Sequence, residues 1–245
     1  IGQNPIMRQR SEKVAELVEP LLDGTTRGNE RLRTLLRFCE PHHSRRMFDL
    51  FLRGVREGWL DDARDHWWHH LHDFPDKAPL PAVELLKVFL ERQFMRMPAG
   101  DPFPQRASEL HFPADYCIRL AGAAADSFLT KILPLVAAEV AKRPAGKSKT
   151  RDALWAYTSL GRMHDFGESL LEGLSQAAHN LARDQPARFS AVAALVLTTV
   201  SRSLGFILLR GWLGNPVALA NDCARYIAQD SSRLRVGYDL TSGLG

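Results

Sequence analysis

The sequence predicts an all-α protein, specifically an irregular α-solenoid in which antiparallel helix pairs stack on one another. Three observations carry this prediction. Apolar residues recur three and four positions apart through nearly the whole chain, which is the period of one buried helix face. Sustained alternation of apolar and polar residues, which would indicate strands, is almost absent. Prolines at several joints, each followed by an aliphatic segment, favour stacked pairs over a single bundle.

The first block of helix pairs is predicted over residues 1–97. Ser11 is placed to cap the first helix and Asn29 the second, because these side chains accept hydrogen bonds from the free amides of a helix start. The second helix is expected to end before Pro41, where a helix does not easily continue. The side expected to be buried in the first helix consists of Val14, Leu17, Val18 and Leu21.

Three further helices complete this block. The third is expected to close near Gly58. The fourth runs from Asp61 or Asp62 to His72. Pro81 suits the first turn of the fifth, because its fixed backbone angle already matches a helix. The expected core side chains of the third and fifth helices are Met47, Leu50, Phe51 and Val55, and then Leu85, Leu86, Phe89, Leu90 and Phe94.

A proline-rich loop over residues 98–113 is predicted to follow, since it holds four of the fourteen prolines. The second block of helix pairs covers residues 114–245 and is expected to continue the first, so that the chain forms one elongated domain. Pro134 is expected to kink one of its helices. Helices are expected over residues 113–125, 151–162, 166–183, 187–211 and 215–230. A further helix is expected to begin at residue 126 and to end at a basic connector over residues 142–150.

Composition and charge weigh against several classes of protein. Hydrophobic residues make up 45% of the chain and charged residues 24%, which is ordinary for a folded domain. The net charge of +4 is small for 245 residues, and arginine is spread along the chain, which weighs against nucleic-acid binding. The longest apolar stretch, residues 191–209, is interrupted by Arg202, which weighs against a membrane span.

The cysteines indicate the cellular compartment of the protein, and the termini indicate whether the chain is part of a longer one. Cys39, Cys117 and Cys223 are odd in number and far apart, which favours free thiols in a reducing cytoplasm over a disulfide framework. The N-terminus has no signal-peptide pattern. Both ends lack a natural boundary, so the chain is expected to be a fragment of a larger protein.

Residues 141–148, with the sequence Ala-Lys-Arg-Pro-Ala-Gly-Lys-Ser, fit a permissive form of the phosphate-binding loop. Alanine replaces the first glycine of that motif. The preceding segment is a predicted helix, whereas a phosphate-binding loop follows a strand. A solvated basic turn is therefore the favoured interpretation, and no cofactor is assigned.

Asp61, Asp62 and Asp65 form a D-D-x-x-D motif, which resembles the magnesium-binding helix of class I isoprenoid synthases. A second metal motif would have to lie near Asn221-Asp222, where arginine and glutamine stand in place of ligands. The favoured interpretation is that the aspartates stabilise a helix start, where negative charge is favourable. A magnesium-dependent isoprenoid-type enzyme is kept as the alternative function.

His66 and His70 lie four residues apart on one predicted helix face, a spacing that could hold zinc. Trp67 stands where a metalloprotease helix would need a glutamate, and a further ligand, either Asp62 or His42, could join only through folding. The favoured interpretation is a helix-pair boundary in which one of Trp67 and Trp68 faces the core. No metal ligand and no catalytic residue is assigned.

Four groups of stretches carry a resemblance to a known family. They are Leu60–Arg92, Ala114–Val140, Asp152–Trp155 with Glu168–Leu174 and Arg183–Phe189, and Asn215–Tyr238. Over about residues 45–240, these stretches resemble the helical region downstream of the nucleotide-binding module in large bacterial STAND NTPases. That group includes the AVAST class of anti-phage defence proteins.

The resemblance implies a helical sensor or scaffold segment of a larger STAND-type NTPase, with the ATPase and effector modules elsewhere in the parent protein. It also implies a protein partner, which in that family is a phage protein, self-association through the parent protein, and no catalysis by this segment. Exposed aromatic and arginine side chains commonly anchor such surfaces. The candidate partner-binding residues are Trp67, Arg96 and Trp212.

Overall fold

The part of the chain that the structure describes is mostly helical. The structure is a computed structural model and describes residues 5–22, 25, 28, 30, 34, 39–58, 68, 71–97, 113, 115–142, 166–199, 201–230 and 233. These residues contain ten α-helices packed against one another and no strand, which confirms the predicted all-α class. The helices are α1 (Pro5–Val18), α2 (Arg45–Glu57), α3 (Phe74–Lys77), α4 (Pro79–Arg96), α5 (Tyr116–Ala123), α6 (Ala125–Lys142), α7 (Phe166–Asp184), α8 (Pro186–Ala194), α9 (Arg202–Gly214) and α10 (Pro216–Gln229).

The chain divides into two compact units. Unit 1 comprises Ile1–Arg96 with Glu109–Pro113, and unit 2 comprises Met97–Ser108 with Ala114–Gly245. Unit 1 contains α1 to α4 and two short 3₁₀ turns, Glu19–Leu21 and Pro41–His43. Unit 2 contains α5 to α10. The predicted solenoid stacking of the two blocks, and their continuity as one elongated domain, stay predictions.

In unit 1, α2 ends where the sequence predicts, near Gly58, whereas its start at Arg45 was not predicted. The hydroxyl of Ser44 accepts a hydrogen bond from the amide of Met47 at 3.1 Å, which caps the helix start. Gly58 ends the helix in the left-handed region with φ 76°, a conformation that glycine adopts without steric cost. The four predicted core residues of this helix are all buried, and the helix packs on α1 and α4.

Helix α4 supplies the largest part of the core of unit 1. It begins at Pro79, and all five side chains that the sequence places inward are buried. Trp68 is fully buried and meets the ring of Phe89 edge-on, with 4.9 Å between the ring centroids. The prediction that one of the two neighbouring tryptophans faces the core is therefore confirmed by Trp68, while Trp67 lies outside the described residues.

Helix α1 differs from its prediction in both its start and its buried side. It begins at Pro5, so Ser11 lies inside the helix and does not cap it. The buried side of the helix contains Ser11 and Ala15. Their small side chains let α1 approach α2 and the Pro41–His43 turn closely. Leu17 and Leu21, which were expected in the core, are 65% and 44% exposed. The prediction for this side of the helix was therefore wrong for Leu17 and Leu21, whereas Val18 is buried as predicted.

In unit 2, helix α7 is the central element, because α5, α6, α8 and α9 all pack on it. The buried residues of α7 include small ones such as Gly173 and Ser175. The Ser175 hydroxyl donates to the Leu171 carbonyl at 2.8 Å, so this buried polar group is paired within the helix. The amide of Asn180 donates to the Ala121 carbonyl at 3.2 Å and links α7 to α5.

The segment 187–211, predicted as one helix, is two helices in the structure. Helix α8 ends at Ala194, and turns follow before α9 begins at Arg202. The Ser201 hydroxyl accepts from the amide of Leu204 at 3.1 Å and starts the new helix. The β-branched pair Thr198 and Thr199 precedes this cap, and such residues are weak helix formers.

Several other predicted elements have clear outcomes. Helices α7 and α10 confirm the predicted segments 166–183 and 215–230, and Asn215 caps α10 by accepting from the amide of Ala218 at 3.2 Å. Helix α6 continues through Pro134. The segment 151–162 and the connector after Lys142 lie outside the described residues, as do most of the predicted second and fourth helices. None of the described helices is long and apolar enough to cross a membrane.

Candidate functional site

Of the three predicted partner-binding residues, the structure describes Arg96 and Trp212. Trp67 lies outside the described residues. Arg96 is exposed at the last position of α4. Trp212 is only 3% exposed, because it packs between the rings of Phe189 and Tyr226 with centroid distances of 6.4 and 5.0 Å. The expectation that Trp212 is an exposed anchor was wrong, since α9 turns this side chain toward α8 and α10.

An exposed stripe on α1 is a feature that the sequence analysis missed. Ile6, Arg10, Lys13 and Leu17 are all exposed, and their spacing of four, three and four residues places them along one side of the helix. Leu21 continues the same spacing into the following 3₁₀ turn. We call these five residues the α1 stripe. Its aliphatic members are exposed by 66% at Ile6, 65% at Leu17 and 44% at Leu21.

Charged side chains lie on more than one side of α1. Arg10 and Lys13 lie in the α1 stripe, while the acidic side chains face Arg46 on α2. Glu19 accepts hydrogen bonds from two nitrogens of Arg46 at 2.6 and 2.8 Å, and this contact raises the pKa of the guanidinium. Smaller contributions to that pKa come from Glu16 and Glu12. Glu19 and the acidic residues before it thus lie near Arg46, whereas Arg10 and Lys13 are exposed to solvent in the α1 stripe.

A second candidate site lies just before α2, where Glu40, His42 and His43 bring one ligand atom each within 4.8 Å of one another. The Nε2 atom of His43 is 2.9 Å from Glu40 Oε2, and the Nε2 atom of His42 is 3.4 Å from the same oxygen. Pro41 begins the 3₁₀ turn that carries both histidines. Ser44 follows His43 directly and caps the start of α2. We call these three residues the EHH cluster.

The surroundings of the EHH cluster are apolar on one side and charged on the other. The ring of His42 lies 6.0 Å from that of Phe74 in α3. Burial, with the neighbouring His43, lowers the pKa of His42, against an opposing effect of Glu40. The Lys77 ammonium donates to Glu40, and this hydrogen bond is the main reason that the pKa of the carboxyl is lowered. At neutral pH the cluster therefore combines a carboxylate with an uncharged His42.

Such a cluster can share a proton or bind a cation, because imidazole nitrogen and carboxylate oxygen are both common metal ligands. The signal for it was present in the sequence as Glu40-Pro41-His42-His43, three ligand-type residues within four positions. From the sequence, His42 was expected only as a further ligand of a site at His66 and His70. Those two histidines lie outside the described residues.

The structure describes only a few residues of the other sequence motifs. Asp61, Asp62 and Asp65 lie outside the described residues, as do residues 143–148 of the loop-like segment. Asp222, from the second stretch weighed for magnesium, accepts a hydrogen bond from Ser190 at 3.0 Å and lies 3.6 Å from Arg225. Its carboxylate therefore contacts a hydroxyl and a cationic side chain on the surface of unit 2.

Known proteins offer no further guide to these sites. No protein-family model matches the chain, and the comparisons with curated proteins and with solved structures found no match.

Proposed function

We propose that this chain is a helical scaffold that binds another protein, as the sensor segment of a larger STAND-type NTPase in bacterial antiviral defence. The proposed partner is a phage protein. In this proposal the parent protein is cytoplasmic, self-associates and carries the ATPase and effector modules in other segments, and the present segment performs no catalysis.

The observation that carries the proposal is the α1 stripe. A run of exposed aliphatic side chains on one side of a helix is a common feature of surfaces that are covered by a partner. The stripe combines Ile6, Leu17 and Leu21 with the cations Arg10 and Lys13. A complementary surface is an apolar groove bordered by acidic side chains, and such pairing of charges favours one partner over others. We therefore expect the surface of the phage protein that contacts α1 to be an apolar groove bordered by acidic side chains.

The test is binding by the purified chain to individual phage proteins, each expressed separately and measured by titration calorimetry. One of them is expected to bind with a defined stoichiometry. The double substitution Ile6→Asp and Leu17→Asp should weaken that binding by about 30-fold or more, the effect of losing a central contact worth about 2 kcal/mol. Loss of binding in this variant must occur with an unchanged far-UV circular dichroism spectrum.

The matched control is the double substitution Met95→Asp and Val217→Asp, because these side chains are 77% and 94% exposed and lie outside α1. It should bind as tightly as the unchanged chain. Equal binding by the stripe variant, or the absence of any partner among the phage proteins, would contradict the proposal. Magnesium-dependent consumption of a prenyl diphosphate, abolished by Asp61→Ala with Asp62→Ala, would instead support the alternative enzyme.

A further inference from the structure

We propose that the EHH cluster is a zinc site in which Glu40, His42 and His43 each supply one ligand to a Zn²⁺ ion. The proposal is independent of the proposed scaffold function, because it rests on a different part of unit 1. It also differs from the zinc site that the sequence suggests at His66 and His70, because neither of those two histidines belongs to the cluster.

The ligand types fit zinc. Two imidazoles and one carboxylate form a set that Zn²⁺ accepts in proteins, with a fourth position left for water. Calcium and magnesium prefer sites made of oxygen ligands, so a pair of imidazoles selects a transition metal over either of them. All three ligands come from a stretch of four residues, so the site requires no contact between distant parts of the chain.

The distances also fit. Two ligands bound to one zinc ion at about 2.0–2.1 Å, on neighbouring corners of a tetrahedron, are about 3.3 Å apart. The two histidine Nε2 atoms lie 2.9 and 3.4 Å from Glu40 Oε2. Small side-chain rotations would therefore bring these atoms to the required spacing. When His43 binds the metal through Nε2, that nitrogen carries no proton, and the ring proton of the neutral imidazole is then on Nδ1.

The position of the cluster allows entry of a metal ion. The side chains of His42 and His43 are only 13% and 15% exposed, whereas the side chain of Glu40 is 44% exposed to solvent. The buried rings hold the two nitrogens in place, and the exposed carboxylate opens the path from solvent. His43 Nδ1 is buried and has no hydrogen-bond partner among the described residues. A zinc site without that outer contact is expected to bind more weakly than a structural four-ligand site.

Lys77 competes with the metal in this arrangement. Its ammonium donates to Glu40 Oε1 and is itself 44% exposed on a flexible stem, so it can move into solvent when zinc binds. Because the ammonium repels a cation bound at the same carboxylate, the substitution Lys77→Met should tighten zinc binding about tenfold. Lys87→Met is the matched control, since Lys87 is equally exposed and pairs with Glu91 at 3.0 Å elsewhere in unit 1.

The experiment titrates the metal-free full chain with Zn²⁺ by calorimetry and with Co²⁺ by visible absorption. One zinc ion is expected to bind at the cluster. The triple substitution Glu40→Gln, His42→Gln and His43→Gln should lower the affinity by more than the roughly 10–100-fold seen when only an outer contact is lost. The substitution His66→Gln with His70→Gln should leave that affinity unchanged.

Three results would overturn the proposal. The first is a chain that binds no zinc, and the second is zinc binding that the triple substitution leaves intact or that only the His66 and His70 substitutions remove. The third is equal affinity of the Lys77→Met and Lys87→Met variants. This last comparison looks for a gain of affinity, so it does not depend on whether the triple variant folds correctly.

Discussion

Gly173 and Gly122 lie in packed helices of the same unit but have opposite surroundings. A Cβ atom at Gly173 would come within 2.6 Å of Cys117 Cβ and 2.7 Å of its backbone carbonyl carbon in α5. Nothing lies within 4 Å of a Cβ atom placed at Gly122. The same chemical change at these two positions therefore separates the effect of close packing from that of helix propensity.

We expect Gly173→Ala to lower the free energy of unfolding by about 1–3 kcal/mol, because backbone atoms of α5 cannot move aside without disturbing the core. Gly122→Ala should raise that free energy by about 0.4–1 kcal/mol, because alanine restricts the unfolded chain and fits the exposed helix position. Urea unfolding measures both. Similar changes for the two variants would mean that α5 and α7 are farther apart than the structure places them.

The three cysteines should differ in reactivity. Burial raises the pKa of the Cys117 thiol to about 12, a shift that the hydroxyl of Ser169 only partly opposes. At pH 8 only about one such thiol in ten thousand is ionised, and the thiolate is the reactive form. Cys39 and Cys223 are partly exposed. Iodoacetamide followed by mass spectrometry should therefore label those two first, and Cys117 only after unfolding.

A denatured sample is the control for this labelling, because all three thiols should then react at similar rates. Labelling of Cys117 in the folded chain at the rate of Cys223 would contradict its burial beneath α7.

Individual residues also mark the limits of sequence-based prediction. Trp212 belongs to an amphipathic residue type that occurs both in cores and at binding surfaces, so its type did not decide its position. Its burial depends on the rings of Phe189 and Tyr226, which come from two other helices. The EHH cluster is the opposite case. Its three ligand types are nearly adjacent in sequence, so a search for short-range ligand groups would have found it.

At the scale of elements, helix ends with strong local signals were predictable. The structure confirms the predicted helix end near Gly58 and the predicted helix start at Asn215-Pro216, both of which depend on contacts within a few residues. The Ser44 cap is equally local but was not predicted. The predicted side of α1 failed because its sequence supports two overlapping buried sides. One contains Leu17 and Leu21, and the other contains Ser11 and Ala15. Packing on α2 decides between them, and that is a tertiary contact.

The outward position of Leu17 gives a direct test of the orientation of α1. We expect Leu17→Ala to change the free energy of unfolding by no more than about 0.5 kcal/mol, as is usual for exposed positions. Leu174→Ala should lower it by about 2–5 kcal/mol, because Leu174 is fully buried in α7 among its neighbouring helices. Urea denaturation followed by circular dichroism compares the two.

Comparable losses of stability in these two leucine variants would contradict the rotated orientation of α1. They would also restore the first expectation, in which Leu17 belongs to the core.

At the scale of the whole molecule, the all-α class followed from periodicity, whereas the arrangement of helices within each unit did not. A period of three to four residues shows that a helix has a buried side, but not which helix covers it. The central place of α7 depends on contacts with α5 and α9, which are distant from it in sequence. No local pattern in Phe166–Asp184 specifies those partners.

The close approach of helices in unit 2 has a consequence for recognising relatives of this chain. A side chain at Gly173 would meet the backbone of α5, and one at Gly214 would meet the His179 carbonyl oxygen of α7. Leucine, isoleucine and methionine are similar in volume and can replace one another in a core with modest repacking, but neither of these two glycines has such a substitute. As homologous sequences diverge, a glycine at each of these two positions should persist as a signature after similarity in the aliphatic positions has faded.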